Sequence, residues 1–153
     1  MLLMVIDSLE IGGLDGTPDT RSMTYDLEAF LGWRRILVEG NPADRNNLFA
    51  KSPLAFSASA AVCKNRSKLH YANEKYTGGI IEFMDLDFLA SWHADVFSSG
   101  DPFETGDFNI SLVHWEEFDE TMISIIDCIP MHEILKTAGI KHINFFILDV
   151  EVL

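Results

Sequence analysis

A glycine-rich turn near the beginning of the chain carries the residues best suited to bind a ligand. The turn, Gly12-Gly13-Leu14-Asp15-Gly16, follows an apolar run, and a second apolar run ends on Glu39, 23 positions after Gly16. Glycines allow a sharp turn and a close approach of backbone to ligand because they carry no Cβ. An acidic side chain near this spacing is typical of carboxylates that bind ribose hydroxyls. The pattern predicts a site for a nucleotide-type cofactor.

The spacing of these glycines argues against a phosphate in that site. Gly12-Gly13-x-x-Gly16 lacks the alternate spacing of the dinucleotide motif G-x-G-x-x-G. The Asp15 carboxylate would repel a phosphate, whereas it could attract a sulfonium or an ammonium group. The turn therefore favours a ligand without phosphates. An ordinary turn between a strand and a helix stays the alternative interpretation of the glycines.

Length, composition and net charge limit the fold size and the kinds of partner that are expected for this chain. The chain has 153 residues, which predicts one domain spanning 1–153, and 48% of them are hydrophobic. With 11 Lys and Arg against 24 Asp and Glu, the net charge is −13, which excludes nucleic acid and anionic membrane surfaces as expected partners. No run approaches the roughly 20 apolar residues of a membrane span, so none is expected in this chain.

The cysteines and histidines predict neither a disulfide framework nor a metal site. Cys63 and Cys128 are too few and too far apart for a zinc module, and both lie in apolar stretches, where buried free thiols are expected. The histidines show no H-x-x-x-H or H-x-H spacing. We therefore expect no metal.

Strands alternate with helices along most of the chain, which predicts an α/β fold with a largely parallel sheet. The first strand is apolar enough to be buried on both faces, and the last strand is also expected to be buried. The first helix is expected to carry Leu27, Phe30 and Leu31 on one face and to end at Gly32. Strands are expected at 4–11, 35–39, 54–63, 68–71, 122–126 and 143–150, and helices from a cap at Thr20, Ser22 or Thr24 to Leu31, at 42–50, at 85–92 and at 131–137. A loop is expected at 98–102 and a solvated acidic face at 116–120.

Short segments spread over nearly the whole chain match the motifs of one known family. They are 9–16 (LEIGGLDG), 22–24 (SMT), 31–42 (LGWRRILVEGNP), 60–63 (AAVC), 78–80 (GGI), 82–84 (EFM), 92–93 (WH) and 140–151 (IKHINFFILDVE). Together they resemble the FkbM-type methyltransferase family. The resemblance implies a Rossmann-like class I methyltransferase domain, a three-layer sandwich that binds S-adenosylmethionine and methylates a hydroxyl oxygen.

The resemblance also assigns roles to residues of this chain. Glu39 would bind the ribose hydroxyls, and Asp149, at the carboxyl end of the last strand, would face the cofactor and the acceptor. The methionine end of the cofactor would be wrapped by Glu10, Gly12, Gly13, Asp15 and Gly16. Removal of the acceptor's proton needs a base, for which Asp149 has the best placement; Glu151, His93 and His132 are the other candidates. The acceptor would be a small molecule or a carbohydrate.

The sequence departs from the family pattern after Asp149-Val150-Glu151. The usual glycine does not follow, and the given sequence stops at Leu153. We therefore expect a sheet that lacks its last strands and an apolar edge at 145–148 that drives self-association. Two alternatives stay open beside an active O-methyltransferase. One is a catalytically inactive cofactor-binding remnant or a fragment of a longer methyltransferase, and the other is a dinucleotide-dependent oxidoreductase.

Overall fold

A computed structural model describes residues 5–74, 77–93 and 121–150. The described chain forms two compact units, of which the first comprises 5–68 and 127–150 and the second 69–74, 77–93 and 121–126. One domain over 1–153 stays a prediction. The expected loop at 98–102, the acidic run at 116–120 and Glu151 lie outside the described residues. The helices and strands are β1 (Asp7–Ile11), α1 (Tyr25–Leu31), β2 (Arg34–Glu39), α2 (Arg45–Lys51), β3 (Phe56–Ser59), β4 (Ala61–Cys63), β5 (Ser67–Ala72), β6 (Gly79–Ile80), α3 (Leu86–Trp92), β7 (Ile123–Pro130), α4 (Met131–Thr137) and β8 (Phe145–Leu148).

The first unit is built on a four-stranded sheet in the order β3-β2-β1-β8. All three pairings are parallel, with Leu9 opposite Ile36 and Phe146, and Ile36 opposite Phe56. The predicted α/β class with a parallel sheet is confirmed for this unit. β1 is buried on both faces, as expected of an inner parallel strand.

The two faces of this sheet differ in chemistry because side chains alternate along each strand. One face contributes Leu9, Ile36 and Val38 to an apolar core that also contains Ile134 of α4 and Ile140. The opposite face carries Glu10 and Arg35, both almost fully buried, beneath the glycine turn and α1. The sheet is therefore held by apolar packing on one side and by polar contacts on the other.

Helix α1 begins and ends where local signals predict. Thr24, one of the three expected caps, precedes it, and Gly32 ends it in the left-handed conformation at φ 68°. The apolar face of this helix is not buried, since Phe30 and Leu31 are 80% and 62% exposed. The reason is that polar groups hold this part of the chain to the sheet, with Thr24 and Glu28 both accepting hydrogen bonds from Arg35.

The expected strand at 54–63 is divided into two. β3 joins the main sheet, and after Ala60 the chain continues as β4, which pairs in parallel with β7. This pairing corrects the expectation of free thiols, because it brings Cys63 and Cys128 together as a disulfide, with the Cα atoms 5.8 Å apart. Residues 65 positions apart in the chain lie on neighbouring strands only once the fold is formed. No sequence spacing could reveal their proximity.

Reciprocal hydrogen bonds hold β8 to β1 at the amino end of the sheet. The Asp7 amide donates to Asn144 Oδ1 at 3.0 Å, and the Asn144 amide donates to the Asp7 carbonyl at 2.9 Å. The Asp7 carboxylate also accepts two hydrogen bonds from Arg34 at 2.6 and 3.1 Å. Hydrogen bonds thus join the amino ends of β1, β2 and β8.

The second unit contains α3, the hairpin of β5 and β6, and the beginning of β7. β5 and β6 pair antiparallel, and the Glu82 carboxylate accepts hydrogen bonds from the His70 amide and ring. Asp85 caps α3 by accepting from the Phe88 amide at 2.8 Å, which agrees with the predicted start of this helix. Within the described ranges, no helix has the length and apolar character needed to cross a membrane.

Strand β8 lies at the edge of the main sheet, and the expectation that the last strand is buried is wrong. Phe146 is 52% and Leu148 60% exposed, and within the described sheet β8 pairs with β1 alone. A strand edge with unpaired backbone groups and apolar side chains is a surface on which another chain can pair.

We expect the wild-type protein to self-associate through this edge. Light scattering should give a mass above that of one chain, increasing with protein concentration, and Phe146→Lys/Leu148→Lys should restore the mass of one chain. The matched control is Leu54→Lys, which removes a more exposed apolar side chain away from the edge and should change nothing. A wild-type protein that scatters as one chain at all concentrations would contradict this expectation.

Candidate functional site

The glycine turn, Glu39 and Asp149 meet at the carboxyl edge of the main sheet. The Gly12 amide donates to the Val38 carbonyl and the Asp149 amide to the Ile11 carbonyl, each at 2.9 Å. From β1 the chain continues to β2 on one side, while β8 lies on the other side. In open α/β sheets, ligands bind outside the carboxyl ends of the strands at such a switch in strand order. The candidate site is therefore the edge above β1 and β8.

Two of the predicted glycines are required by close packing inside the protein. Gly12 has φ 84°, and a Cβ there would overlap the carbonyl group of Asp149. Gly16 has φ 73°, and a Cβ there would overlap Leu37 and the Ser52 hydroxyl. Gly13 is less crowded, since its Cβ would lie 3.3 Å from a methyl group of Leu37. The glycines are explained by the turn itself, and the case for a ligand rests on other groups.

The turn uses several of its own amide groups internally. Leu14 donates to the Glu39 carboxylate at 2.9 Å, Gly16 to the Gly13 carbonyl at 2.8 Å and Thr17 to the Asp15 carboxylate at 3.1 Å. Phosphate-binding turns instead direct successive free amides at the ligand. This arrangement disfavours a phosphate, in agreement with the glycine spacing.

Glu10 occupies the position before α1 where phosphate-binding folds hold their anion. Its carboxylate is 1% exposed and accepts hydrogen bonds from the Ser22 hydroxyl at 2.7 Å, the Met23 amide at 2.9 Å and the Thr24 amide at 3.2 Å. A carboxylate at the beginning of a helix is favoured by the helix dipole. The protein thus supplies its own anion at this point.

Sequence reasoning missed Arg35, which lies beneath the turn and is fully buried. Its guanidinium donates to the Gly16 carbonyl at 2.8 Å, the Ser22 hydroxyl at 2.7 Å, the Thr24 hydroxyl at 3.0 Å and Glu28 at 3.1 Å. The available signal was alternation along β2, which places Arg35 on the same face as Leu37 and Glu39. Arginine is almost never fully buried unless it is paired.

The buried carboxylate of Asp15 pairs with the half-exposed Lys51, whose Nζ lies 2.7 Å away. Burial alone would raise the pKa of this carboxyl, but hydrogen bonds from Lys51, Thr17 and Thr20 hold the pKa well below its ordinary value. The carboxylate therefore stays ionised, and a lysine already neutralises it. Its expected attraction for a sulfonium stays a prediction, and the structure assigns Asp15 a role in the shape of the turn.

Glu39 is the buried carboxylate that best fits a ligand with hydroxyl groups. Its oxygens accept one hydrogen bond each from the Leu14 and Asn41 amides, at 2.9 and 2.6 Å. Burial raises the pKa of this carboxyl, and the hydrogen bonds from these amides oppose that shift. A carboxylate offers about four acceptor positions, so both oxygens of Glu39 can accept a further hydrogen bond.

The candidate bases are placed differently. Asp149 is exposed, and its carboxylate makes no hydrogen bond with residues in the described part of the chain. His132 is exposed on α4. His93 belongs to the second unit, where it is buried and its Nε2 lies 2.9 Å from the Thr77 carbonyl oxygen.

Among residues 5–74, 77–93 and 121–150, no group of three His, Cys, Asp or Glu side chains could hold a metal ion.

Three comparisons with known proteins find no relative of this chain. The sequence matches no protein-family model, no curated protein and no solved structure.

We expect Lys51→Met to destabilise the protein in a way that depends on pH. The lowered pKa of Asp15 means that its contribution is fully present above the ordinary value of 3.8 and is lost as the pH falls below it. At pH 7 the variant should have a lower free energy of unfolding than the wild type, and the loss should be small because Lys51 is half exposed. Urea unfolding between pH 7 and the lowest pH of the folded state measures this.

The difference between wild type and Lys51→Met should shrink as the pH falls, because a protonated Asp15 no longer needs a cation. Lys141→Met, which replaces another exposed lysine, is the matched control and should leave the free energy of unfolding unchanged. A difference that stays constant from pH 7 to well below 3.8 would contradict a contribution of this pair to stability.

Proposed function

We propose that this protein is an S-adenosylmethionine-dependent O-methyltransferase of the FkbM type. Its acceptor would be a hydroxyl group on a sugar or a small natural product. The first unit would then be the core of a Rossmann-like class I methyltransferase domain. The parallel sheet and its order support the proposal, because β1 with β2 on one side and β8 on the other forms a switch point at which such folds bind ligands.

One observation carries the choice of cofactor. The positions at which a dinucleotide-binding turn would hold a pyrophosphate are filled by the protein itself, since Glu10 takes the amides before α1 and the turn bonds its own amides. An adenosine cofactor without phosphates avoids this conflict. Glu39 retains acceptor capacity for two hydroxyl groups, as a ribose requires. These features favour S-adenosylmethionine over a nicotinamide dinucleotide.

In this proposal the residues of the site bind and orient the reactants. Glu39 would accept hydrogen bonds from the ribose hydroxyls, and Glu10 would act indirectly by fixing the chain between the turn and α1. When bound, S-adenosylmethionine supplies an electrophilic methyl group. Asp149 would take the proton of the acceptor hydroxyl as its oxygen attacks that methyl group, or would orient the hydroxyl for attack. Its exposure and its position directly after β8 support this role.

Calorimetry on the folded protein tests the cofactor. S-adenosylmethionine and S-adenosylhomocysteine should both bind, and Glu39→Gln should weaken both by about tenfold or more, because an amide offers fewer acceptor positions to the hydroxyls. Glu133→Gln makes the same chemical change on α4 and should leave the affinity unchanged. Absence of binding to folded wild-type protein would overturn the proposal. A melting temperature raised by a nicotinamide cofactor would favour an oxidoreductase instead.

Substitution of Asp149 tests the chemistry separately from binding. With labelled S-adenosylmethionine and a panel of sugars and small alcohols, Asp149→Asn should lower kcat by about 10²-fold or more if Asp149 is the base, while the cofactor affinity stays unchanged. Asp26→Asn, on the exposed side of α1, is the control and should retain full activity. Full activity of Asp149→Asn would remove this residue from the mechanism.

A further inference from the structure

Arg35 takes no part in the proposed chemistry, yet its side chain is among the most completely buried of the described chain. A buried cation is tolerated only when it is paired and hydrogen-bonded. The Glu28 carboxylate lies 3.1 Å away, and Glu10 shares the Ser22 and Thr24 hydroxyls with the guanidinium. These groups form one continuous polar network beneath the glycine turn.

One hydrogen bond of Arg35 connects this network to the glycine turn. Nη2 of Arg35 donates to the carbonyl of Gly16, the last residue of the turn, at 2.8 Å. The other bonds of the guanidinium go to Ser22, Thr24 and Glu28, which lie before or within α1. The planar guanidinium thus joins the end of the turn to the beginning of the helix. Lysine cannot do so, because its ammonium is a single point from which donors diverge.

We propose that Arg35 is a positioning residue for the cofactor-binding turn, an inference that rests on the proposed function. The guanidinium fixes the Gly16 carbonyl and the Glu10 network in one geometry. The turn from Gly12 to Gly16 is thereby held in its binding conformation before the cofactor arrives. Pre-organised sites bind more tightly because less conformational freedom is lost on binding.

The neighbouring arginine provides a matched control. Arg34 lies on the same strand but on its other face, and it pairs with Asp7 at the amino end of the sheet, far from the turn along β1. Arg34→Met therefore removes a hydrogen-bonded arginine without touching the turn.

The experiment compares amide exchange in the turn with cofactor affinity. Arg35→Lys keeps the positive charge and is the main variant, and Arg35→Met removes the charge as well. Hydrogen exchange followed by NMR reports on the hydrogen-bonded amides of Gly12, Leu14 and Gly16 without any ligand. We expect exchange about tenfold faster in Arg35→Lys, and S-adenosylhomocysteine binding weaker by a similar factor at a temperature where the variant is fully folded.

Arg34→Met should exchange in the turn and bind S-adenosylhomocysteine as the wild type does. Wild-type exchange and affinity in Arg35→Lys would overturn the inference, and so would equal effects in Arg34→Met, which would indicate a general loss of stability. If wild-type protein fails to bind S-adenosylhomocysteine while Arg35→Lys still accelerates exchange in the turn, the proposed function fails and the positioning of the turn by Arg35 stands. If Arg35→Met does not fold, Arg35→Lys alone decides the inference.

Discussion

The burial of Glu10 and Arg35 on one face of the main sheet is the constraint on which the rest of the first unit depends. The two residues lie on neighbouring strands, where Arg35 is opposite Ser8 and Glu10 is opposite Leu37. Charges removed from water must be satisfied by nearby partners. Ser22, Thr24 and Glu28 provide them, so α1 is held to the sheet by hydrogen bonds, and none of its residues is fully buried.

This constraint also shapes the candidate site. Since Glu10 satisfies the amides that precede α1, the chain leaves the turn along a path set by the protein's own carboxylate. Lys51 fixes the turn from α2 through Asp15, and Glu39 fixes it from β2 through Leu14. Of these carboxylates, Glu39 combines burial, spare acceptor positions and a place at the carboxyl edge. Glu39 is thus the carboxylate of the candidate site that is best suited to accept hydrogen bonds from hydroxyl groups.

Local patterns predicted the elements of the fold well, whereas contacts between distant residues were not predictable. Gly32 ends α1 and Asp85 caps α3 because these signals act within a few residues. The exposure of Phe146 depends on what packs against its face of the sheet, and the pairing of Cys63 with Cys128 depends on the register of β4 and β7. Spacing singled out Glu39 and the glycines as candidates, whereas the partners of Glu10 and Asp15 could be seen only in the folded chain.

The reciprocal bonds between Asp7 and Asn144 have a consequence at the opposite end of the strand. A slip of β8 by one residue against β1 would exchange its two faces, and the Asn144 bonds select one alignment before the strand begins. Asp149 reaches its place beside Gly12 only in that alignment. The Asn144 side chain, which is remote from the glycine turn, therefore anchors β8. Because the backbone of β8 is nearly inextensible, the alignment fixed at its amino end also sets the position of Asp149 at its carboxyl end.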